Sequence, residues 1–500
     1  MIVDRLEPVR SSLLPSNHPY LNGAWTPQHE ELTIAELKVI EGTIPKDIDG
    51  VYLRNTENQV HQPLGRHHPF DADGMIHQVD FHGGQAAYRN RFVRTRCFEA
   101  EQLAGVSLWG GLMDGPGIST RPGFGAHGGL KDSSSTDIIV HAGKAISTFY
   151  QCGEGYVLDP ETLEQEGVAP WVPLDGISAH PKVDDRTGEL LFFNYSTYAP
   201  YMHYGVVDAF GRLTDYVPVP LPGPRLPHDM AFSANWSIVN DMPLFWDEEL
   251  LKRGIHASRM HDGLPARFGL IPRHGKTEDI RWFDAAPTYV LHFLNAYEEG
   301  EEVVLDGYFQ ENPAPEPLES AGKRYSHMMA FLDEHSFKPK LHRWRFNLSD
   351  GTTREERLDD RILEFGMINQ RFLGHPYRYA YSTTAKPGWF LFTGFVKHDL
   401  IAGTSQQITL EDGRYASEAP FAPRIGAVDE DDGYLVSFII DENRGTSECV
   451  LIDCKRFEAG PVCRIALPHK ISSGTHAHWA DRVTLREAAA RRAATVRVAA

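Results

Sequence analysis

The sequence predicts an all-β fold, a propeller or a sandwich, on three observations. Short strand-like runs recur from one end to the other, long amphipathic helical patterns are few, and the 44 glycines and 33 prolines are scattered as turn signals. In chain order the clearest runs are TDIIVHAG (136–143), ELLFFNYS (189–196), EEVVLDGYF (301–309), GWFLFTGF (388–395), GYLVSFIID (433–441) and CVLIDC (449–454). Each is rich in β-branched and aromatic residues, which suit a pleated, half-buried surface, and each is bounded by Gly, Pro, Asp or Asn. Two segments carry helical spacing instead, DEELLKRG (247–254) and LREAAARRAA (485–494). A blade of a propeller takes roughly 40–50 residues, so about seven blades plus insertions fill a chain of 500 residues. No linker or low-complexity break divides it. Residues 1–500 therefore read as a single domain, with about 485–500 as a flexible C-terminal tail.

Composition narrows the function classes. An apolar fraction of 41% with 11% aromatics is enough to bury a core. The net charge of −19 argues against a nucleic-acid groove, which needs clustered Lys and Arg. The N-terminal MIVDRLEPVRSSLLPSNHPY has no apolar run of the secretory kind, and no stretch of about 18 apolar residues exists. The expectation is a cytoplasmic protein with no membrane span, leaving room for a peripheral membrane contact through a surface patch. Cys97, Cys152, Cys449, Cys454 and Cys463 form no CxxC pair and read as reduced thiols.

The histidines raise a further question. Four of the 24 stand in segments suited to burial: His180 in ISAHPKVDDRTGELLFFNY, His228 in RLPHDMAFSANW, His292 in TYVLHFLNAYEE and His476 in SSGTHAHW. Taken singly, each reads as a satisfied core or loop histidine. Their separations of 48, 64 and 184 residues exclude a local metal motif. Such spacing fits ligands brought by different blades to a common axis.

These segments, in this order, resemble the carotenoid cleavage oxygenase family, which includes apocarotenoid, lignostilbene and isoeugenol oxygenases. IPKDIDGVYLRNTEN, FDADGMIHQVDF, LEFGMINQRFLGHPYRYAY and DEDDGYLVSFI add to the likeness, which runs from about residue 34 to 479. The resemblance implies a seven-bladed β-propeller with a cap of loops and helices over an axial metal site. It implies iron(II), Fe2+, held by His180, His228, His292 and His476. It implies a dioxygenase that cleaves a conjugated C=C bond of an apolar alkene with O2, giving two carbonyl products. A stilbene- or phenylpropene-cleaving enzyme, an isomerohydrolase and a catalytically silent binding propeller are the alternatives.

The family also places glutamates behind its histidines, where an acceptor fixes the tautomer and direction of each imidazole. Glu364 and Glu430 match two of these. The third match falls on Tyr150, or on Gln151 if one residue is inserted. In GTHAHW the pattern favours His476 over His478. Gly366 stands where the family often has proline. Thr136 matches a threonine near the metal's open position. The phenol-binding tyrosine and lysine of the stilbene cleavers are replaced by Leu112 and by Phe149-Tyr150-Gln151, which favours an apolar polyene. The glycine-rich GPGISTRPGFGAHGG (115–129) lacks the Gly-Lys-Ser/Thr of a phosphate loop and reads as a mobile loop over the site, and EEGEE (298–302) reads as a solvated turn.

Overall fold

The structure is a computed structural model and describes residues 3–112, 114–123, 130–246, 248–252, 258–261, 263–310, 338–385 and 390–499. Seven antiparallel sheet units succeed one another along it. Blade 1 contains Gly50–Asn58, Asp73–His82 and Gln85–Phe92, with Leu32–Ile34 and Val3–Arg5 outside them. Blade 2 runs from Asp137–His141 to Gln165–Val168, blade 3 from Lys182–Val183 to Leu213–Pro218, and blade 4 from Ala231–Phe232 to Arg281–Ala285. Blade 5 runs from Phe293–Glu299 to Thr353–Arg357 and blade 6 from Leu363–Met367 to Thr404–Thr409. Blade 7 holds Phe421–Pro423, Gly433–Asp441, Thr446–Asp453 and Pro461–Ala466. The short strand Arg414–Ala416 joins blades 6 and 7 by pairing with both.

The ring is closed twice. Ala477–Asp481 pairs antiparallel with Gly50–Asn58 and becomes the inner strand of blade 1, while Val39–Gly42 pairs with Pro461–Ala466 at the outer edge of blade 7. Each pairing covers an edge that would otherwise lie open, and radial repetition leaves only short, protected edges elsewhere. Neighbouring blades share apolar cores. Phe268 and Phe283 of blade 4 meet Trp344 and Phe346 of blade 5, and Tyr52, Phe81 and Tyr88 of blade 1 meet Val436, Phe438 and Leu451 of blade 7.

The expected strands appear, and EEGEE is the hairpin turn between Phe293–Glu299 and Glu302–Phe309, with Gly300 at φ 61. DEELLKRG contributes the helix Glu248–Lys252. A helix the sequence reading passed over, Arg96–Ala104, is capped by Thr95, whose hydroxyl accepts from Phe98 N–H, and ends at Gly105 with φ 72. LREAAARRAA lies within the helix Arg482–Ala499. Its first turn is held by the Arg482 guanidinium on Asp49, Asp80 and Glu161, and Leu485 and Ala488 are buried one turn apart. Within the glycine-rich segment, residues 124–129 lie outside the described residues. No described helix is long and apolar enough to cross a membrane.

Candidate metal centre

Four inner strands start just after a histidine. His292 and His476 immediately precede Phe293–Glu299 and Ala477–Asp481, His180 precedes Lys182–Val183, and His228 precedes Ala231–Phe232. Inner strands of a propeller begin at its axis, so blades 5, 1, 3 and 4 deliver four imidazoles to one point. Ring centroids are 4.4 Å apart for His180 and His476, 4.7 Å for His292 and His476, 4.9 Å for His180 and His228, 5.0 Å for His180 and His292, and 5.2 Å for His228 and His292. The Nε2 atoms of His180 and His228 are 3.2 Å apart. One nitrogen each of His180, His292 and His476 lies within 4.8 Å of the others.

Burial disfavours protonation of all four rings, and neighbouring imidazoles add to it at His180, His228 and His292. It holds His180 and His228 well below the usual histidine range, His292 at about 3 and His476 at about 4. All four rings are therefore neutral at pH 7, with a lone pair to give. The Nδ1–H of His292 donates to Glu364 Oε2 at 2.6 Å, leaving Nε2 buried with no protein partner. The Nδ1–H of His476 donates to Glu418 Oε1 at 3.1 Å, and the other carboxylate oxygen accepts Ala477 N–H at 2.5 Å. His180 Nδ1 lies 3.5 Å from Asp137 Oδ2. Converging neutral imidazoles with carboxylates on their outer nitrogens form a donor set that fits a divalent first-row transition metal.

Two expected positions are corrected. Glu430 does not approach a histidine. Its carboxylate accepts the main-chain N–H groups of Arg378 (2.9 and 3.0 Å) and Tyr379 (2.7 Å), pinning the start of the blade 6 strand Tyr379–Ala385. The DEDDG run stands in the turn before Gly433–Asp441, whereas Glu418 stands on the inward crossing from Arg414–Ala416 to Phe421–Pro423. Gln151 is buried, but none of the hydrogen bonds of the described residues joins it to a histidine. The carboxylate beside His180 is Asp137, one residue after Thr136. A residue adjacent to a named motif position was its only signal in the sequence.

Sequence reasoning also missed a brace. Lys182 Nζ lies 2.8 Å from Asp229 Oδ1, and Asp229 Oδ2 accepts Phe293 N–H at 2.8 Å. These residues follow His180, His228 and His292 closely in the chain, so one buried carboxylate ties three histidine-bearing segments together. Two residues pay for the geometry with left-handed backbone: His180, before a proline, has φ 63, and Phe365 has φ 50. Such conformations cost about 1–3 kcal/mol each and persist where surroundings enforce them. The Phe365 ring lies against His476 (4.8 Å, stacked) and His292 (4.9 Å). Gly366 has a packing cause, because a Cβ there would sit 2.1 Å from Tyr308 Oη.

The cluster has two surroundings. A cavity of about 120 Å³ runs among inner-strand residues of six blades, where Asp137, His180, Lys182, Glu418, His476 and His478 share the lining with apolar side chains such as Ile139, Met230, Phe232 and Leu294. An apolar group, absent from that lining, consists of Phe149, Tyr150 and Ala179 with Phe70 and Leu112. It continues through Phe70, Phe390 and Phe365, whose rings follow at 5.9 and 5.8 Å, to His476. Thr136 is buried between the two, its hydroxyl accepting Tyr150 N–H at 3.2 Å and its carbonyl accepting His476 N–H at 3.3 Å. His478 contacts Gln370 Nε2 through Nδ1 at 3.3 Å.

Comparison with known proteins agrees with this architecture. The family model described as retinal pigment epithelial membrane protein matches residues 25–481. The carotenoid 9,10(9',10')-cleavage dioxygenase 1 of Pisum sativum is 31% identical over 97% of this chain and 95% of its own length. The isoeugenol monooxygenase of Pseudomonas putida is 32% identical over 93% of this chain and 98% of its own. Among solved structures, the Pseudomonas brassicacearum lignostilbene dioxygenase superposes with a TM-score of 0.82 at 24% identity, covering 94% of this chain and all 100% of its own. The Synechocystis apocarotenoid oxygenase superposes at 0.80 over 92% of this chain and 98% of its own, also at 24% identity. With its propeller, its four axial histidines and a family match over nearly its whole length, the chain belongs to the retinal pigment epithelial membrane protein family of carotenoid cleavage oxygenases.

Proposed function

We propose that the protein is an iron(II)-dependent dioxygenase that cleaves a conjugated C=C bond of an apolar, carotenoid- or apocarotenoid-like alkene into two carbonyl products. The observation that carries this reading is the convergence of four buried imidazoles beside a cluster of aromatic side chains. His180, His228, His292 and His476 would hold the metal, with Asp137, Glu364 and Glu418 fixing the outer nitrogens of three of them. Bound iron(II) supplies the unpaired electrons that let triplet O2 react with a closed-shell alkene. The reaction is redox-balanced without a further reductant, because the two oxygen atoms end in the two carbonyls.

The chain's residues do the rest. Phe70, Phe149, Tyr150, Phe390 and Leu112 offer apolar walls that hold an extended alkene by burial, worth about 25 cal/mol per Å², and that exclude water. The carboxylates of Glu364 and Glu418 keep the proton on Nδ1 and so direct Nε2 toward the centre. Substrate class follows from what surrounds Tyr150. Leu112 and Phe149 are apolar, and Lys131, in the loop before blade 2, is already paired with Asp73 and Glu101 at 2.6 and 2.8 Å. A phenolate would find no free cation among these residues. A second reading, cleavage of a hydroxylated stilbene or phenylpropene, is favoured by one group, the buried Tyr150 hydroxyl, which a substrate phenol could meet.

The deciding experiment is anaerobic loading with iron(II), then incubation with an apocarotenal and a hydroxystilbene under ¹⁸O2. The expected result is label in both carbonyl products and a higher kcat/KM for the apocarotenal. A clear preference for the hydroxystilbene moves the assignment to the second reading. Products without label would point to isomerohydrolase chemistry, and no turnover despite bound iron to a binding propeller. Leu14, Leu64, Leu103, Val106 and Ile118 are exposed around the cap helix Arg96–Ala104, where residues 10–14 lie against Gln62 and Gln102. This surface supports a peripheral membrane contact for taking up such a substrate, which liposome co-sedimentation tests.

A further inference from the structure

The acids behind the histidines are distributed unevenly. Glu364 serves His292, Glu418 serves His476, and Asp137 faces His180. No carboxylate of the described residues pairs with His228. The acid next to it in sequence, Asp229, is already engaged with Lys182, Met230 N–H and Phe293 N–H. From blade 2 the uncharged Tyr150 faces His228, with its ring centroid 6.4 Å away. It stands in the segment where the pattern this sequence resembles has its third acid.

Asp137 is well placed to compensate. Its residue opens the first strand of blade 2 in register with Thr148, and its carbonyl accepts from Asn55 Nδ2 at 3.3 Å. One carboxylate oxygen accepts Ile138 N–H at 2.7 Å, which fixes the group's direction and leaves the other toward His180 Nδ1. The separation of 3.5 Å places the carboxylate at the outer limit of a hydrogen bond from the ring N–H.

We infer that Asp137 is the positioning residue of His180, and that His228 is the ligand held without a charged partner. The inference rests on the metal-binding reading above. A carboxylate on the outer N–H raises the basicity of an imidazole and fixes its angle, so the two ligands should bind with unequal strength.

The test is anaerobic competition for Fe(II) against a chromophoric chelator, with the absorption spectrum of the Co(II)-loaded protein as a second readout. Asp137→Asn keeps the size and the acceptor for Ile138 N–H but removes the charge. It should weaken metal binding about 10–100-fold, as loss of such partners does elsewhere, and shift the cobalt bands while the melting temperature stays within a few degrees. Tyr150→Glu, which places an acid beside His228, should recover about tenfold or more when combined with Asp137→Asn. Wild-type affinity and an unchanged cobalt spectrum in Asp137→Asn would overturn the inference, provided Glu364→Gln is weakened in the same assay. If Glu364→Gln is also unaffected, or the unaltered protein takes up no metal, the metal-binding reading itself fails and this inference with it.

Discussion

A neutral imidazole buried among three others has one use for its lone pair, and the residue-scale expectations begin there. Alanine at His180, His228, His292 or His476 should each reduce bound iron by tenfold or more, measured by metal analysis after anaerobic loading. His478→Ala should retain it, because His478 lines the axial cavity and contacts Gln370 but is not among the clustered rings. Glu418→Gln should weaken metal binding by roughly 10–100-fold. Glu430→Gln should leave it unchanged, since that carboxylate holds only the Arg378 and Tyr379 amides. Equal losses in the two variants would place Glu430 among the carboxylates that support the histidines. A titration away from the centre can be checked separately. Burial, with Asp114 nearby, raises Asp71 from 3.8 to about 7. The folded state therefore binds a proton that the unfolded chain has released, and stability present below pH 4 is lost as pH rises toward 7. Asp71→Asn keeps an acceptor for Leu112 N–H and removes this loss, so its melting temperature relative to wild type should climb between pH 4 and pH 7. At this scale the histidines were legible because each sits in a distinctive string of residues in a fixed order. Glu418 was not, since SEAPF carries no pattern of its own and DEDDG offers a more conspicuous cluster of acids. Asp137 was hidden by its neighbour, because Thr136 drew the attention and an acid at a strand start ordinarily reads as a turn residue.

Elements were legible in proportion to how much surface each buries. Gly433–Asp441 is buried at every position and reads as a strand from composition alone. Ala477–Asp481 is five residues with no β-branched side chain, and only its partner Gly50–Asn58 makes it a strand. Arg96–Ala104 escaped notice because nine residues with only Cys97, Phe98 and Glu101 buried carry too little periodicity. Gly366 shows how one element constrains the next. It lies on Leu363–Met367 against Tyr308 of Glu302–Phe309, whose hydroxyl is 2.7 Å from Ser382 Oγ. Gly366→Ala should destabilise by about 1–3 kcal/mol, the usual range for overpacking. Tyr308→Phe in the same background should recover part of it by removing the clashing oxygen, at the expense of the Ser382 contact. Thermal denaturation of the two single variants and the double variant tests this, and strict additivity would show that the two residues do not meet.

The whole molecule is a ring whose last blade borrows Val39–Gly42 from near the start and whose first blade borrows Ala477–Asp481 from near the end. Its mostly β make-up was legible in the recurrence of short strand-like runs. The crossed closure was not, because pairing between residues more than 400 positions apart leaves no local mark. Ending the chain at residue 475 should remove the inner strand of blade 1, its helix and His476 together. The expected product is aggregation-prone and melts broadly rather than cooperatively, which calorimetry and light scattering would show. Protein synthesis gives this arrangement a timetable. His180, His228 and His292 are translated long before His476, which arrives only with the strand that locks the ring. The four imidazoles can meet only once residue 476 has been made, so the strand that closes the ring is also the one that completes the centre.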